Sequence, residues 1–266
     1  MTALTTSVEL ATAIEAAHAA GALLLQALGG RREVRHKGEI DIVTDADEAA
    51  EAAIVTLLSG RFPTDGVLAE EGTATGLDRN RLWIIDPLDG TTNFAHGYPI
   101  FAVSIALEVA GVVELGVVYQ PAMDELFVAT RGGGAFLNER PIRVSETEAL
   151  RSGLLCTGFS YDQTQLDREM EIFGRFARSA QAIRRDGSAA LNLSYLAAGR
   201  FDGFWERTLR PWDVAAGGLI VAEAGGTLSS FAGEQWDIRA ADFVASNGHL
   251  HDRMLQAIAG PARESA

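Results

Sequence analysis

The stretch Leu82-Trp83-Ile84-Ile85-Asp86-Pro87-Leu88-Asp89-Gly90-Thr91-Thr92-Asn93-Phe94 constrains the rest of the chain. Its first four residues are apolar and rich in β-branched and aromatic side chains, the composition of a short buried strand. Asp86 stands where that strand should end, because Pro87 lacks a ladder donor and fixes φ. A second acid, Asp89, follows. Gly90 then permits a close turn, and Thr91-Thr92-Asn93 offers a row of N–H groups and hydroxyls suited to an anion. The two halves want opposite partners: Asp86 and Asp89 a cation, Gly90 to Asn93 an anion. A metal-bound phosphate ester satisfies both. On the spacing alone the default reading is a strand and an Asx-type turn with both acids solvated, so the other acids of the chain decide.

A second apolar run, Gly66-Val67-Leu68-Ala69, ends in Glu70-Glu71 and then Gly72, again a strand delivering carboxylates at its tip. Thr44-Asp45-Ala46-Asp47 opens a helix reaching about Gly60, and acids in a first turn offset the helix dipole, which is the default reading of Asp45 and Asp47. Arg210-Pro211-Trp212-Asp213 opens another helix through Glu223, with Pro211 at the favoured first position and Gly225-Gly226 past the end. Asp213 also lies in a first turn. Packing by Pro211 and Trp212, and the small Ala215-Ala216 face, predict a partly buried carboxylate in need of a partner. If Glu70, Asp86, Asp89 and Asp213 converge, each pair near 4 Å repels by about 4 kcal/mol at an effective dielectric of about 20, so a cation must hold them together. An all-oxygen donor set selects Mg²⁺, Mn²⁺ or Ca²⁺ over zinc or copper. Carboxylates beside a phosphate-cradling turn describe a two-metal phosphoester hydrolase.

The remaining sequence sets the frame. A chain of 266 residues is long enough for one large domain or two small ones. An amphipathic helix follows Thr6-Ser7-Val8-Glu9, with Leu10, Ile14, Ala17, Gly21, Leu24 and Leu28 on one face and Gly29-Gly30 after it. Residues 31–37 are basic and expected to be extended, and Lys37 by default is solvated. Residues 102–130 read as a β-meander with turns at Ala110-Gly111 and at 121–124, followed by a strand at 135–138. The second half reads as strands at 154–157, 182–184, 202–206 and 243–245 and helices at 166–178, 188–196, 211–223 and 249–258. This is α+β passing into α/β with no sharp boundary, so a single domain is expected, with halves of about 1–145 and 146–266. The single Cys156 makes no internal disulfide, and there is no Cys/His cluster for zinc. The first arginine is Arg31, which speaks against a secretory signal, and His18, Gln26 and Glu223 interrupt the most apolar helices, which speaks against a membrane span. A cytoplasmic location is expected. A formal charge of −14 speaks against direct nucleic-acid binding. No Ser, Cys or His stands in a nucleophile pair, and His96 reads as a loop residue, so no covalent phospho-enzyme is expected.

The segment from Asp86 to Phe94 and the segment Pro211-Trp212-Asp213-Val214-Ala215-Ala216-Gly217 resemble the two signature motifs of the inositol monophosphatase family. Glu70-Glu71 stands where that family has a Glu-Glu pair, Leu209 to Asp213 matches its bacterial form, and the resemblance spans roughly residues 37–226. It implies a layered αβαβα fold of the sugar-phosphatase type, a homodimer, dependence on two or three Mg²⁺ ions with Mn²⁺ as a substitute, and inhibition by Li⁺. By position, Glu70, Asp86 and the Leu88 carbonyl would hold the first ion, Asp86, Asp89 and Asp213 the second, with a third, weaker one near Glu70. Glu70, Thr91 and Asp47 form the implied catalytic group: Thr91 orients and helps deprotonate the attacking water, with Asp47 as its hydrogen-bond partner. The amides of Gly90 and Thr91 would bind phosphate oxygens, and Ala189 and Glu206 would contact the inositol ring.

The implied activity is hydrolysis of myo-inositol 1-phosphate, or a related polyol phosphate, to inositol and phosphate by an activated water attacking in line. Members with this fold also hydrolyse fructose 1,6-bisphosphate, histidinol phosphate or nucleotide 3′-phosphates, and some bacterial members act as non-catalytic partners of the transcription apparatus. Gly187-Ser188-Ala189-Ala190-Leu191 with Glu206 resembles the inositol type. Asp186 departs from the usual neutral residue, and Arg184, Arg185 or Arg210 beside the pocket would favour a bisphosphate.

Overall fold

The structure, a computed structural model, describes residues 7–28, 34–36, 42–160 and 163–260; Thr6, Gly29-Gly30 and Lys37 lie outside these residues. The first helix, α1 (Val8–Leu28), starts where the Leu10 amide donates to the Ser7 hydroxyl at 3.2 Å. It buries Leu10, Ala13, Ala16, Ala17, Ala20 and Leu24 on one face. The antiparallel strands β1 (Val34–His36) and β2 (Ile42–Thr44) lead into α2 (Asp45–Arg61), which packs beside α1.

The next strands are β3 (Gly66–Ala69), β4 (Ala74–Thr75), β5 (Arg81–Asp89) and, after the short helix α3 (Thr91–Ala95), β6 (Ala102–Val109). The meander continues with β7 (Val112–Gln120), β8 (Glu125–Thr130), β9 (Gly134–Leu137) and β10 (Arg140–Pro141). Together they form an eight-stranded sheet in the order β10-β9-β8-β7-β6-β5-β3-β4, parallel only between β3 and β5. The continuous apolar run in β5 follows from its position, because both faces of the strand are covered. Trp83 and Ile85 pack with α1 and α2, while Leu82 and Ile84 pack on the opposite side.

The second half supplies β11 (Leu154–Thr157), α4 (Leu166–Ser179), β12 (Ala182–Arg184), α5 (Ala189–Ala197) and β13 (Gly203–Arg207). It ends with α6 (Pro211–Glu223), β14 (Thr227–Ser229), β15 (Asp242–Ser246) and α7 (His251–Ala259). Its five strands are ordered β12-β11-β13-β15-β14. α5 and α6 pack on each other and touch both sheets, and α4 and α7 cover the far face of the second sheet. The order of layers is therefore α1/α2, large sheet, α5/α6, small sheet, α4/α7, the αβαβα arrangement that the motifs implied. Glycines allow the central layer to sit close. A Cβ on Gly116 of β7 would stand 2.7 Å from the Ala216 carbonyl oxygen, and one on Gly217 would stand 2.7 Å from Leu193.

One strand goes beyond the elements read from the sequence, and one expectation needs correction. Residues 227–229 form a strand, β14, too short for its alternation to be read locally. The interruptions at His18 and Gln26 do not remove α1 from membrane-span range: the helix has 21 residues, and an 18-residue window of it has a mean hydropathy of 1.4, which is long and apolar enough. In this fold that helix lays its alanine-rich face on α2, β6 and β7.

Candidate active site

Parallel pairing brings the strand-tip acids together. Ala69 of β3 is in register with Ile85 of β5, so Glu70 stands beside Asp86, and the Glu70 amide donates to the Ile85 carbonyl at 3.1 Å. Leu68, Leu82 and Ile84 pack toward α5 and α6, and alternation turns Glu70 and Asp86 to the same side. Asp89 reaches that side by an irregularity. Pairing does not stop at Pro87: β5 continues to Asp89, with Asp86 opposite Ser104 and Asp89 opposite Ala102. Three residues of β5 thus match two of β6, a bulge that takes up the one residue by which Asp86 and Asp89 would otherwise face opposite ways.

The helices of the central layer meet these acids end-on. Ser188, before α5, donates its hydroxyl to Asp89 Oδ2 at 2.6 Å and accepts the Leu191 amide at 3.3 Å. The Ala190 amide reaches Asp89 Oδ2 at 2.7 Å and the Ala189 amide Oδ1 at 3.3 Å. Asp213, in the first turn of α6, accepts the Arg210 amide at 2.6 Å. Asp47, in the first turn of α2, accepts the Thr44 amide at 2.8 Å on Oδ2 and faces Thr91 Oγ1 at 3.1 Å with Oδ1. The helix-capping reading of Asp47 and Asp213 and their presence at the site hold together, because each uses one carboxylate oxygen for its helix. Thr91 Oγ1 also lies 3.0 Å from the Leu88 carbonyl. Gly90 adopts φ 98°, and a Cβ there would stand 2.9 Å from the Ile100 carbonyl oxygen.

A cavity of about 700 Å³ is lined by Glu70, Asp86, Leu88, Asp89 and Asp213, and also by Gly90, Thr91, Ala189 and Glu206. Asp47 is not in its wall and reaches it through Thr91. Burial first, then the Glu70, Asp89 and Asp213 charges, push the Asp86 carboxyl well above the usual range. Burial likewise raises Asp213, opposed by its bond to the Arg210 amide. Asp89 rises less, to about 6, because Ser188 and the α5 amides favour its charged form. Burial raises Asp47 and Glu206 too. Among the described residues no three acidic, histidine or cysteine side chains are already drawn in to ligand geometry. Glu70 stands beside Asp86 and, after burial, is the largest charge raising the Asp86 carboxyl. A cluster of buried oxygen donors whose ionisation is opposed by burial and mutual repulsion fits a hard divalent cation.

Residues 6–262 match the family model described as the inositol monophosphatase family. The chain belongs to that family. The inositol-1-monophosphatase of Synechocystis is 45% identical over 259 residues, covering 96% of this chain and 90% of that protein. The Nus factor SuhB of Pseudomonas aeruginosa is 43% identical over 254 residues, covering 92% and 94%. The crystal structure of the extragenic suppressor protein suhB from Bartonella henselae superposes with a TM-score of 0.92 at 40% identity, covering 97% of this chain and all of that one. Inositol monophosphatases are metal-dependent phosphatases, and phosphate monoesters fit as substrates of the family.

Several contacts at the site carry no local signal. Ser188 reads as a helix cap, which it is, but its bond to Asp89 joins positions 99 apart. Asn93 Nδ2 donates to the Ile100 carbonyl at 2.7 Å and the Asp186 carbonyl at 2.6 Å, tying the motif turn to the loop before α5. Arg185 and Arg210 line the cavity together with Arg207, which sequence reasoning passed over; Arg184 and Asp186 do not line it.

The raised carboxyl values have a sign. A carboxyl whose folded pKa exceeds its unfolded value binds more protons when folded, so metal-free stability falls as pH rises through the folded value. For Asp89 that window runs from the ordinary 3.8 to about 6, and Asp86 and Asp213 extend it upward. The melting temperature in chelator is expected to fall increasingly below that in Mg²⁺ as pH rises from the ordinary carboxyl value of 3.8 through about 6. The buried His251, whose pKa is lowered, acts equally in both arms and cancels. A gap that narrows with rising pH would contradict this electrostatic picture.

Proposed function

We propose that this chain is a Mg²⁺-dependent phosphomonoesterase whose preferred substrate is myo-inositol 1-phosphate or a closely related polyol phosphate. The supporting observation is the meeting of Glu70, Asp86, Asp89 and Asp213 beside the Thr91–Asp47 pair. Glu70, Asp86, the Leu88 carbonyl, Asp89 and Asp213 would hold two ions, with a third near Glu70. The carbonyl keeps a lone pair beyond the one facing Thr91. Bound there, Mg²⁺ would offset the carboxylate charge, polarise the phosphoryl group and acidify water. Thr91 directs its proton toward Asp47 Oδ1 and so presents a lone pair to the attacking water. Burial makes Asp47 a stronger acceptor than a solvated aspartate. The Gly90 and Thr91 amides orient the phosphoryl oxygens, and Ala189 and Glu206 face the alcohol portion. We read the chain as a single catalytic domain, cytoplasmic and homodimeric, without direct nucleic-acid contact.

A second reading has its own support. Arg185, Arg207 and Arg210 share the cavity, and Nε and Nη1 of Arg207 are buried with no partner, which suits a second anionic group as in fructose 1,6-bisphosphate. A panel of phosphate monoesters separates the two. Inositol 1-phosphate should give the highest kcat/KM, because Glu206 hydrogen-bonds hydroxyls and repels a second phosphate. Glu206→Gln should weaken that turnover by about tenfold or more while sparing an aryl phosphate. Preference for the bisphosphate would refute the inositol assignment and leave the hydrolytic chemistry standing.

A further inference from the structure

The hairpin that carries Glu70 is held by an acid outside the cavity. Glu51 lies on α2 one helical turn after Asp47, on the same side of the helix. It is 6% exposed. Its carboxylate accepts three hydrogen bonds, all from the β3–β4 loop: the Glu71 amide at 2.8 Å, the Thr73 amide at 3.1 Å and the Thr73 hydroxyl at 2.6 Å. Donors of this kind are what a buried carboxylate requires.

Those bonds bear directly on Glu70. Its own amide is tied to the Ile85 carbonyl of β5 at 3.1 Å, and the next amide, Glu71, is tied to Glu51. The Ala69 amide closes the hairpin on the Thr73 carbonyl at 2.8 Å. Apolar burial contributes little to fixing this loop, since Gly72, Ala74 and Thr75 are exposed. The Glu51 carboxylate thus ties the loop to α2 through three hydrogen bonds. The same helix carries Asp47, which faces Thr91 Oγ1 at 3.1 Å.

We propose that Glu51 is a positioning residue for metal binding: by clamping Glu71 and Thr73 it sets the distance of Glu70 from Asp86 and Thr91, with α2 as their common ruler. The inference rests on the reading of Glu70 as a metal ligand.

Glu51→Gln keeps the size of the side chain, but its NH₂ group must face a donor, so the clamp loosens. Outer partners of ligand groups typically change metal affinity by about 10–100-fold. Calorimetry with Mn²⁺ should show about tenfold weaker binding, and the Mg²⁺ concentration for half-maximal turnover should rise by about the same factor. At saturating Mg²⁺, kcat should return to within about twofold of wild type. Thr73→Val removes only the hydroxyl donor and should shift both readouts in the same direction by less. It carries the test if Glu51→Gln fails to fold. Glu70→Gln is the calibrating variant. If it weakens Mn²⁺ binding while the other two bind as wild type and merely melt earlier, the clamp is structural only and the proposal falls. If Glu70→Gln itself binds Mn²⁺ as wild type, the ligand reading fails and Glu51 loses its role with it.

Discussion

Asp86→Asn should abolish phosphatase turnover, by on the order of 10³-fold or about 4 kcal/mol, and at the same time raise the metal-free melting temperature. The activity loss follows from the position of Asp86 at the centre of the acid cluster, where Glu70, Asp89 and Asp213 all act on it. The stability gain follows from its bonds. Asp86 Oδ1 accepts the Leu88 amide at 3.0 Å, and its carboxyl stands beside that of Glu70. An asparagine keeps the Leu88 bond with its oxygen, offers its NH₂ to the Glu70 carboxylate, and removes one buried negative charge. Each kcal/mol of repulsion relieved should appear as about 2–4 °C for a chain of this size. Asp89→Asn should gain less, because its NH₂ would face the Ala189 amide now 3.3 Å from Oδ1. Excess Mg²⁺ should stabilise wild type more than Asp86→Asn. Full turnover in excess chelator, or a metal-free melting temperature lowered by Asp86→Asn, would sink this account. The same variant separates catalysis from any association with RNA polymerase, which a pull-down would measure directly.

Thr91→Ala is expected to lower kcat by about 10²–10³-fold with only a small change in KM, because positioning and deprotonating water matters in the transition state. Thr91→Ser should recover most of the rate. Asp47→Asn tests the same proton path with every atom of Thr91 in place. Its oxygen would be kept by the Thr44 amide, now 2.8 Å from Oδ2. Its NH₂ would then point at Thr91 Oγ1 and turn the hydroxyl proton toward the Leu88 carbonyl, 3.0 Å away. Wild-type kcat in both Thr91→Ala and Asp47→Asn would leave Thr91 as a local cap and make Glu70 the better candidate base.

What could be read from the chain divides along physical lines. The apolar run before Asp86, the alternation of the meander and the caps of α2, α5 and α6 are local patterns, and they predict the elements well; the order of the layers came from the motif resemblance. The continuation of β5 beyond Pro87 is not local, since the bulge is defined by its register with Ser104 and Ala102 on another strand. Glu51 looks like a solvated acid on a helix and is buried only because the β3–β4 loop folds over it. Arg207 and Arg184 look alike as exposed basic residues, yet only Arg207 lines the cavity. The motif resemblance, rather than spacing, is what singled out Asp47, whose own surroundings read as helix capping.

The sandwiched position of α5 and α6 bears on how the chain emerges during synthesis. The eight-stranded sheet is complete once Pro141 has been added, but the helices covering Leu82, Ile84, Val118 and Phe127 begin only at Ala189 and Pro211. A nascent chain of that length presents one bare apolar sheet face for as long as the ribosome takes to make and release the central layer, roughly several seconds at about 5–20 residues per second. Chaperone capture of stalled chains should therefore peak for arrest points between β10 and α6 and decline once α6 has cleared the exit tunnel.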